Sequence, residues 1–347
     1  MDTYFEEGLV SFRAPKGKIS SALPAFYNPD KKFDRDLTIE ILNEFSKNKK
    51  ELVLCDLLSA TGIRALRFSS EVKNVKEVYA FEKNPVSFKY ILGNILRNKK
   101  KLKAKIFVQR SDANKALYET GKMFDYIDID PFGSPNPFLC SALEHIKTKD
   151  GLLGITATDS AALAGTYPSA TMRKYQSLVF KTPYYRETGL RILIKKIIQA
   201  GAEKETALTP VFAYSRFDYY RTYFLTDSGA GRCDRLLEQC RYFLYNKKTM
   251  KTEITEKPKQ KAGCVLIGPL FTGKLWDDRF IAGKTKMAET IRQESKIDVP
   301  YYAHIPSLYK GKGKSMPSFE KIMNEYRKKG KKVSRTHFDP EGLRISL

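Results

Sequence analysis

Residues 52–58, Leu-Val-Leu-Cys-Asp-Leu-Leu, form an apolar run with one acid near its end, the pattern of a parallel strand covered on both faces. A turn of small residues follows, Ser59-Ala60-Thr61-Gly62-Ile63-Arg64, and then a helical stretch to about Ser70. The spacing predicts further strands at 77–82, 106–110, 124–130 and 152–157, with helices at 85–97, opened by Pro85, and at 137–146. Strands alternating with helices in this way imply a doubly wound α/β sheet. Residues 186–200 then read as an amphipathic helix, and 211–214 with 219–225 as an antiparallel pair about a turn at 216–218. Asp227-Ser228-Gly229-Ala230-Gly231 is a loop signal, and the pattern changes beyond it. There the chain carries Gly-Pro-Leu-Phe-Thr-Gly at 268–273 and helices at 284–294 and 318–329. A strand at 332–336 and a turn at 338–343 close it as a winged-helix-like helix-then-hairpin. Two domains are expected, a larger α/β domain over 1–226 and a smaller α+β domain over 227–347.

Charge changes this picture by pointing to a partner. Among 347 residues, Lys and Arg number 62 against 39 Asp and Glu, a formal charge of +23. From Gly231 onward there are 26 basic and 13 acidic residues, so +13 of that excess lies in the last third of the chain. A surface rich in ion pairs does not need so one-sided a balance, and a polyanion is the natural partner. The lysine-rich runs Lys310-Gly311-Lys312-Gly313-Lys314 and 327–332 are candidate phosphate contacts. Gly313-Lys314-Ser315 looks like the end of a nucleotide-binding loop, but Leu308 stands where its first glycine belongs, which argues against ATP. The amino terminus is acidic where a secretory signal needs basic residues, and no apolar run reaches membrane-spanning length. A soluble, cytoplasmic protein is expected. Five cysteines without a Cys-x-x-Cys pair indicate neither a disulfide framework nor a zinc site, so no metal is expected.

Candidate chemistry sits at the carboxyl ends of the expected strands. The turn from Asp56 to Gly62 has a single glycine, so the three-glycine dinucleotide fingerprint is missing and a nicotinamide cofactor is disfavoured. Glu82 falls about 20 residues after that turn, where a carboxylate accepts both hydroxyls of a ribose. Asp112 is placed to accept from an adenine amine, with the Ala113 N–H donating to a ring nitrogen. Taken singly, each acid reads as a helix cap or a loop residue, and Asp112 suits the N-cap of a helix at 114–117. Together they fall on one rim with Asp130, where ligands of parallel sheets bind.

The octapeptide Asp128-Ile129-Asp130-Pro131-Phe132-Gly133-Ser134-Pro135 follows the fourth strand's apolar run. An exocyclic amine of a purine is a poor nucleophile because its lone pair is delocalised into the ring. A catalyst must therefore accept its hydrogens and let the nitrogen pyramidalise. Asp130 and the Pro131 carbonyl supply acceptors, Pro131 fixes the turn, Phe132 offers a stacking face, and Gly133 lets the backbone approach closely. Asp128 is expected to point elsewhere. Asp159 and Ser160 are candidates for lining the base pocket, Arg173 for a phosphate contact, and His337 for an RNA contact.

The sequence resembles the tRNA (guanine-N2) dimethyltransferases that modify guanine 26. The segments that carry the resemblance are Phe26-Tyr27-Asn28-Pro29, Asp34-Arg35-Asp36, Leu58-Ser59-Ala60-Thr61-Gly62-Ile63-Arg64, Asp112-Ala113, Asp130 to Pro135, Gly154-Ile155-Thr156-Ala157-Thr158-Asp159 and Arg335-Thr336-His337-Phe338. The resemblance implies a Rossmann-like class I methyltransferase sheet. It implies that Arg35, Arg64, Glu82, Asp112 and Ala113 bind S-adenosylmethionine. Asp130 would be the catalytic carboxylate beside Pro131, and Phe26 and Phe132 would sandwich the guanine. It further implies tRNA as partner, through a basic carboxyl-terminal domain, and N2-methyl- and N2,N2-dimethylguanosine as products. A monomer is expected, with no DNA or membrane partner. The chain departs from the family in lacking its Cys-x-x-Cys-like pairs and in carrying Glu82 where relatives often have Asp. Alternatives left open are methylation of adenine or of another guanine in RNA, and a non-catalytic RNA-binding protein on the same fold.

Overall fold

The computed structural model describes residues 2–17, 23–281, 283, 285–310 and 315–346. Gly311 to Lys314 of the first lysine-rich run, and Lys284 of the helix expected at 284–294, lie outside the described residues. The first part of the chain runs β1 (Asp2–Glu7), β2 (Val10–Pro15), α1 (Lys32–Phe45), β3 (Leu52–Asp56), α2 (Ile63–Glu71), β4 (Val75–Phe81), α3 (Pro85–Asn98), β5 (Lys105–Gln109), α4 (Ala113–Thr120), β6 (Tyr126–Ile129), α5 (Asn136–His145) and β7 (Leu152–Ala157). It continues as α6 (Ser160–Leu163), α7 (Pro168–Tyr175), α8 (Tyr185–Ala202), β8 (Thr206–Arg216), β9 (Tyr219–Ser228) and α9 (Ala230–Leu237). Then come β10 (Cys240–Asn246), β11 (Thr252–Thr255), β12 (Cys264–Phe271), α10 (Lys286–Glu294), β13 (Ala303–His304), α11 (Ile305–Tyr309), α12 (Phe319–Lys328), β14 (Val333–Arg335) and β15 (Gly342–Ile345).

Seven strands share one sheet in the order β5-β4-β3-β6-β7-β9-β8. The pairs β5–β4, β4–β3, β3–β6 and β6–β7 are parallel. The doubly wound α/β expectation therefore holds, and β8 and β9, joined by two residues, form a hairpin at its far edge. Local chemistry places the helices. Asn84 caps α3 by accepting from the Val86 and Ser87 N–H groups, with Pro85 in the first turn where a missing N–H matters least. Gly62 turns the chain from β3 into α2 at φ 79°, a left-handed conformation that disfavours any side chain.

The chain divides into two compact units, and they cut it differently from a boundary after Thr226. One comprises Met1–Thr156 with Phe224–Asp227, the other Ala157–Tyr223 with Ser228–Leu347. Thr226 belongs to the first unit because it exchanges backbone hydrogen bonds with Asp150 and Gly151 at 3.0 and 2.9 Å. Residues 157–223 belong to the second because α8 packs on β8, α9 and β12.

In the first unit an amino-terminal hairpin, β1–β2, absent from the sequence expectations, covers α2 and α3. Val10, Phe12 and Ala14 pack with Tyr27, Ile63 and Leu66. The amides of Asn94 and Asn98 each donate to and accept from the β2 backbone, through Arg13 and Ser11, so this strand edge is paired by side chains. In the second unit β10 lies between β11 and β12. The helix-then-hairpin ending is present as α12 followed by the antiparallel pair β14–β15, with β13 on the other side of β15. Its interior holds a buried charge network. Arg344 donates to Glu187 at 2.9 Å and to Glu294 at 3.2 Å, and Arg191 donates to Glu187 at 3.0 and 2.9 Å.

Candidate active site

Asp130 follows directly on β6, whose residues are all buried and which pairs with β3 on one side and β7 on the other. A strand held on both sides leaves little freedom to the residue at its end. The carboxylate is engaged from two directions: Oδ1 accepts from Lys31 Nζ at 2.7 Å, and Oδ2 from Arg64 Nη2 at 2.7 Å. Side-chain exposures are only 14% for Asp130, 11% for Lys31 and 7% for Arg64, so water screens these charges weakly. Arg64 is fixed in turn. It stands in the first turn of α2, donates to the buried Asp34 in the first turn of α1, and reaches Thr38 Oγ1 at 3.4 Å. Asp128 faces inward, accepting from the Tyr126 hydroxyl, with Arg64 Nη1 3.8 Å away.

The β3–β6 register sets Asp56 beside Asp128. Burial first, and then the Asp128 charge, push the Asp56 carboxyl up to about 7, against the pull of Arg64. Asp56 Oδ2 and Thr61 Oγ1 are buried without a hydrogen-bond partner. Orphaned polar atoms in a strand-to-helix turn are rare, and they fit a ligand that brings its own donors, as the amino group of S-adenosylmethionine would.

Glu82, Asp112 and Ala113 follow the carboxyl ends of β4 and β5 in the same sheet. Glu82 follows directly on β4 and accepts from the N–H of Ala60, at 2.9 Å, and of Asn84, at 2.7 Å, tying the turn after β3 to the start of α3. Burial pushes its carboxyl above the usual value although both N–H groups pull the other way. Asp112 is the N-cap of α4, accepting from Asn114 N–H at 3.0 Å and Lys115 N–H at 3.4 Å, and Ala113 is buried behind it. Arg35 belongs to a separate cluster. Its guanidinium donates to Glu7, at 2.8 Å from Nε, and to the Asn28 carbonyl at 3.0 Å, and lies 5.1 Å over the Tyr27 ring. Burial raises Glu7, but Arg35, Tyr27 and Arg67 outweigh it and hold the carboxyl below its ordinary range.

Phe26 and Phe132 come together as expected, but in edge contact: their centroids are 4.6 Å apart and their planes 82° from each other. A base stacked on both faces needs about 7 Å between parallel rings, twice the contact distance of carbon atoms. One ring must swing for a base to enter. Phe132, 59% exposed, is free to do so. Gly133 follows at φ 82°, a turn that a residue with a side chain would strain, and Pro131 is buried.

Two of the candidates in the second unit, Asp159 and His337, have structural partners. Asp159 accepts from Lys174 Nζ at 2.9 Å and from the Tyr175 hydroxyl at 2.7 Å, and Ser160 begins α6. Arg173 is exposed on α7. His337 is not available to RNA: its side chain is buried against Glu294, and its ring meets Trp276 and Phe338. His304, Asp339 and Glu341 gather three ligand-type atoms within 4.8 Å of one another, a grouping that their separation in sequence concealed. Among the residues around Asp130, sequence reasoning missed Lys31, Asp34 and Asp56. The only signal for Lys31 was its place between the Phe26–Pro29 and Asp34–Asp36 motifs, because its partner is 99 positions away. Among the described residues no helix is long and apolar enough to cross a membrane.

A family model described as N2,N2-dimethylguanosine tRNA methyltransferase matches residues 8–347. The tRNA (guanine(26)-N(2)/guanine(27)-N(2))-dimethyltransferase of Aquifex aeolicus is 34% identical over 373 residues, covering 99% of this chain and 92% of that protein. The tRNA (guanine(26)-N(2))-dimethyltransferase of Methanosphaera stadtmanae is 32% identical over 374 residues, covering 100% and 95%. The solved complex of Trm1 from Pyrococcus horikoshii with S-adenosyl-L-methionine superposes with a TM-score of 0.90 at 29% identity, covering 99% of this chain and 97% of that one. With the sheet order and the Asp130 rim described above, these likenesses lead to one conclusion: the chain belongs to the N2,N2-dimethylguanosine tRNA methyltransferase family.

Proposed function

We propose that this protein transfers methyl groups from S-adenosylmethionine to the exocyclic N2 of guanine 26 in tRNA, giving N2-methyl- and N2,N2-dimethylguanosine. The observation that carries the reading is the Asp130 carboxylate at the end of β6, fixed by Lys31 and Arg64, with the Phe26 and Phe132 rings meeting beside it. S-adenosylmethionine supplies an electrophilic methyl group. Arg64, Glu82, Asp112 and Ala113 line its place with Asp56 and Thr61, and Arg35 joins them through the Asn28 loop that it braces.

The remaining chemistry belongs to Asp130 and its neighbours. The Asp130 carboxylate, with two acceptor sites on each oxygen, accepts from the guanine amine. The Pro131 carbonyl supplies a further acceptor. Accepting these hydrogens orients the nitrogen lone pair toward the donor, and the carboxylate takes the proton as N2 becomes acidic on methylation. A guanine stacked in the tRNA core must first be everted at a cost of a few kcal/mol, which stacking on Phe26 and Phe132 offsets. Residues 1–226 carry the methyl transfer and the basic residues 227–347 the binding of tRNA, in a cytoplasmic monomer whose affinity for tRNA falls steeply with salt.

The test is to incubate the protein with S-adenosylmethionine and unmodified tRNA and to identify the methylated nucleosides and their position by mass spectrometry. Methyl groups on N2 of guanine 26 are expected; methylated adenine, or no product with intact protein, rejects the reading. The Aquifex aeolicus relative, named for guanines 26 and 27, motivates a second reading in which guanine 27 is also a target. Substrates carrying guanine at one position only distinguish the two.

A further inference from the structure

We infer that Lys31 is a positioning residue for methyl transfer, acting through Asp130 and holding the two halves of the base slot together. The inference rests on Asp130 being the catalytic carboxylate. Lys31 ends a 3-10 turn, Pro29–Lys31, whose start is capped by Asn28 accepting from the Asp30 N–H at 2.8 Å. That turn begins three residues after Phe26, whereas Asp130 and Phe132 follow the end of β6. The 2.7 Å bond between Lys31 Nζ and Asp130 Oδ1 thus spans from the segment bearing one stacking ring to the segment bearing the other. It is a charge-assisted bond between two largely buried groups, the kind that fixes a geometry as well as contributing energy.

The two cations on Asp130 have different roles. Arg64 is committed to Asp34 as well as to Asp130, so it anchors Oδ2 to the helices behind the rim. Lys31 completes the clamp at Oδ1. Together they fix the carboxylate plane, so that the amine meets an oriented acceptor. Loss of the bond at Oδ1 loosens the carboxylate, and a small misplacement of the acceptor is expensive in rate. Asp34, Asp56 and Asp128 are acids that share the field of Arg64, and Lys31 brings a further positive charge to Asp130.

The test compares Lys31→Met, Lys31→Gln and Lys31→Arg with Asp130→Asn in steady-state methylation of tRNA, with S-adenosylmethionine affinity measured by calorimetry. Lys31→Met and Lys31→Gln should lower kcat about tenfold or more while KM for tRNA stays within roughly threefold, and Lys31→Arg should restore most of the rate. Wild-type kcat in both neutral variants, given a dead Asp130→Asn, overturns the role of Lys31 while leaving that of Asp130 intact. A rise in KM at unchanged kcat overturns it too, since that is the mark of a phosphate contact. Full turnover by Asp130→Asn overturns the reading on which the inference rests. If one neutral variant fails to fold, the other, with Lys31→Arg, still decides.

Discussion

Replacing Arg64 with Met leaves the carboxylates around it short of their main cation, and the cost follows from the contacts. The guanidinium donates to Asp34 and Asp130 and lies 3.8 Å from Asp128; Asp34 and Asp128 have no exposed side-chain surface and Asp130 has 14%. Two charge-assisted hydrogen bonds are lost, each contributing about 1.5–3 kcal/mol. Removal of one partner from a buried ion pair costs about 3–5 kcal/mol in general, which agrees. Against a total stability of roughly 5–15 kcal/mol this is a large fraction. Asp130 keeps its bond from Lys31. Urea denaturation of wild type, Arg64→Met, Asp34→Asn and the double variant measures both the loss and its origin. The double variant should recover about 1–3 kcal/mol relative to the sum of the single changes, because the two groups are in direct contact. A deficit in Arg64→Met below about 1 kcal/mol, the scale of a surface pair, with no coupling to Asp34, would refute the reasoning.

Other outcomes follow from the same geometry. Asp56 has its folded-state carboxyl raised to about 7 from 3.8, so ionising it disfavours the native state: stability is greatest below pH 4, falls as pH rises to about 7 and is level above. Asp56→Asn should therefore be more stable than wild type at pH 8, by up to roughly 4 kcal/mol, and equal to it at pH 4; a pH-independent difference in chemical denaturation rejects this. Phe132→Ala should leave the melting temperature unchanged, because the ring is exposed, while lowering kcat/KM for tRNA by roughly 5–150-fold, the equivalent of about 1–3 kcal/mol of lost stacking. Unchanged kcat/KM would show that the ring does not carry the base. Arg344→Met removes the fully buried partner of Glu187 and Glu294 and should cost about 3–5 kcal/mol of stability in the second unit, read as a lowered urea midpoint; a loss below about 1 kcal/mol contradicts the network.

Much of the first unit was legible because its signals are local. Strand β7 occupies the residues its apolar run predicted, 152–157, and β3, β4, β5 and β6 differ from expectation by a few residues at their ends, where strands merge into turns that hydrogen-bond the same way. Pro85, which suits a first helical turn, and Asp112, a cap that bonds within three residues of itself, declared the starts of two helices. The hairpin β1–β2 was hidden because its outer edge is satisfied by Asn94 and Asn98, more than 80 positions away. Strand β11, Thr-Glu-Ile-Thr, is short and offered no apolar run to detect.

The sequence by itself determined the alternation of strands and helices, the rim on which Glu82, Asp112 and Asp130 fall, and the acceptor segment Asp130-Pro131-Phe132-Gly133, because each rests on residues close together in the chain. Only the tertiary structure decided which charges meet there. It placed Lys31 and Arg64 on the two oxygens of Asp130, set Asp56 beside Asp128, gave Arg35 to Glu7, and closed Phe26 edge-on against Phe132. An ion pair or a ring contact depends on separations of a few ångströms between segments tens of residues apart. Those separations are set by sheet register and helix packing, which no local pattern records.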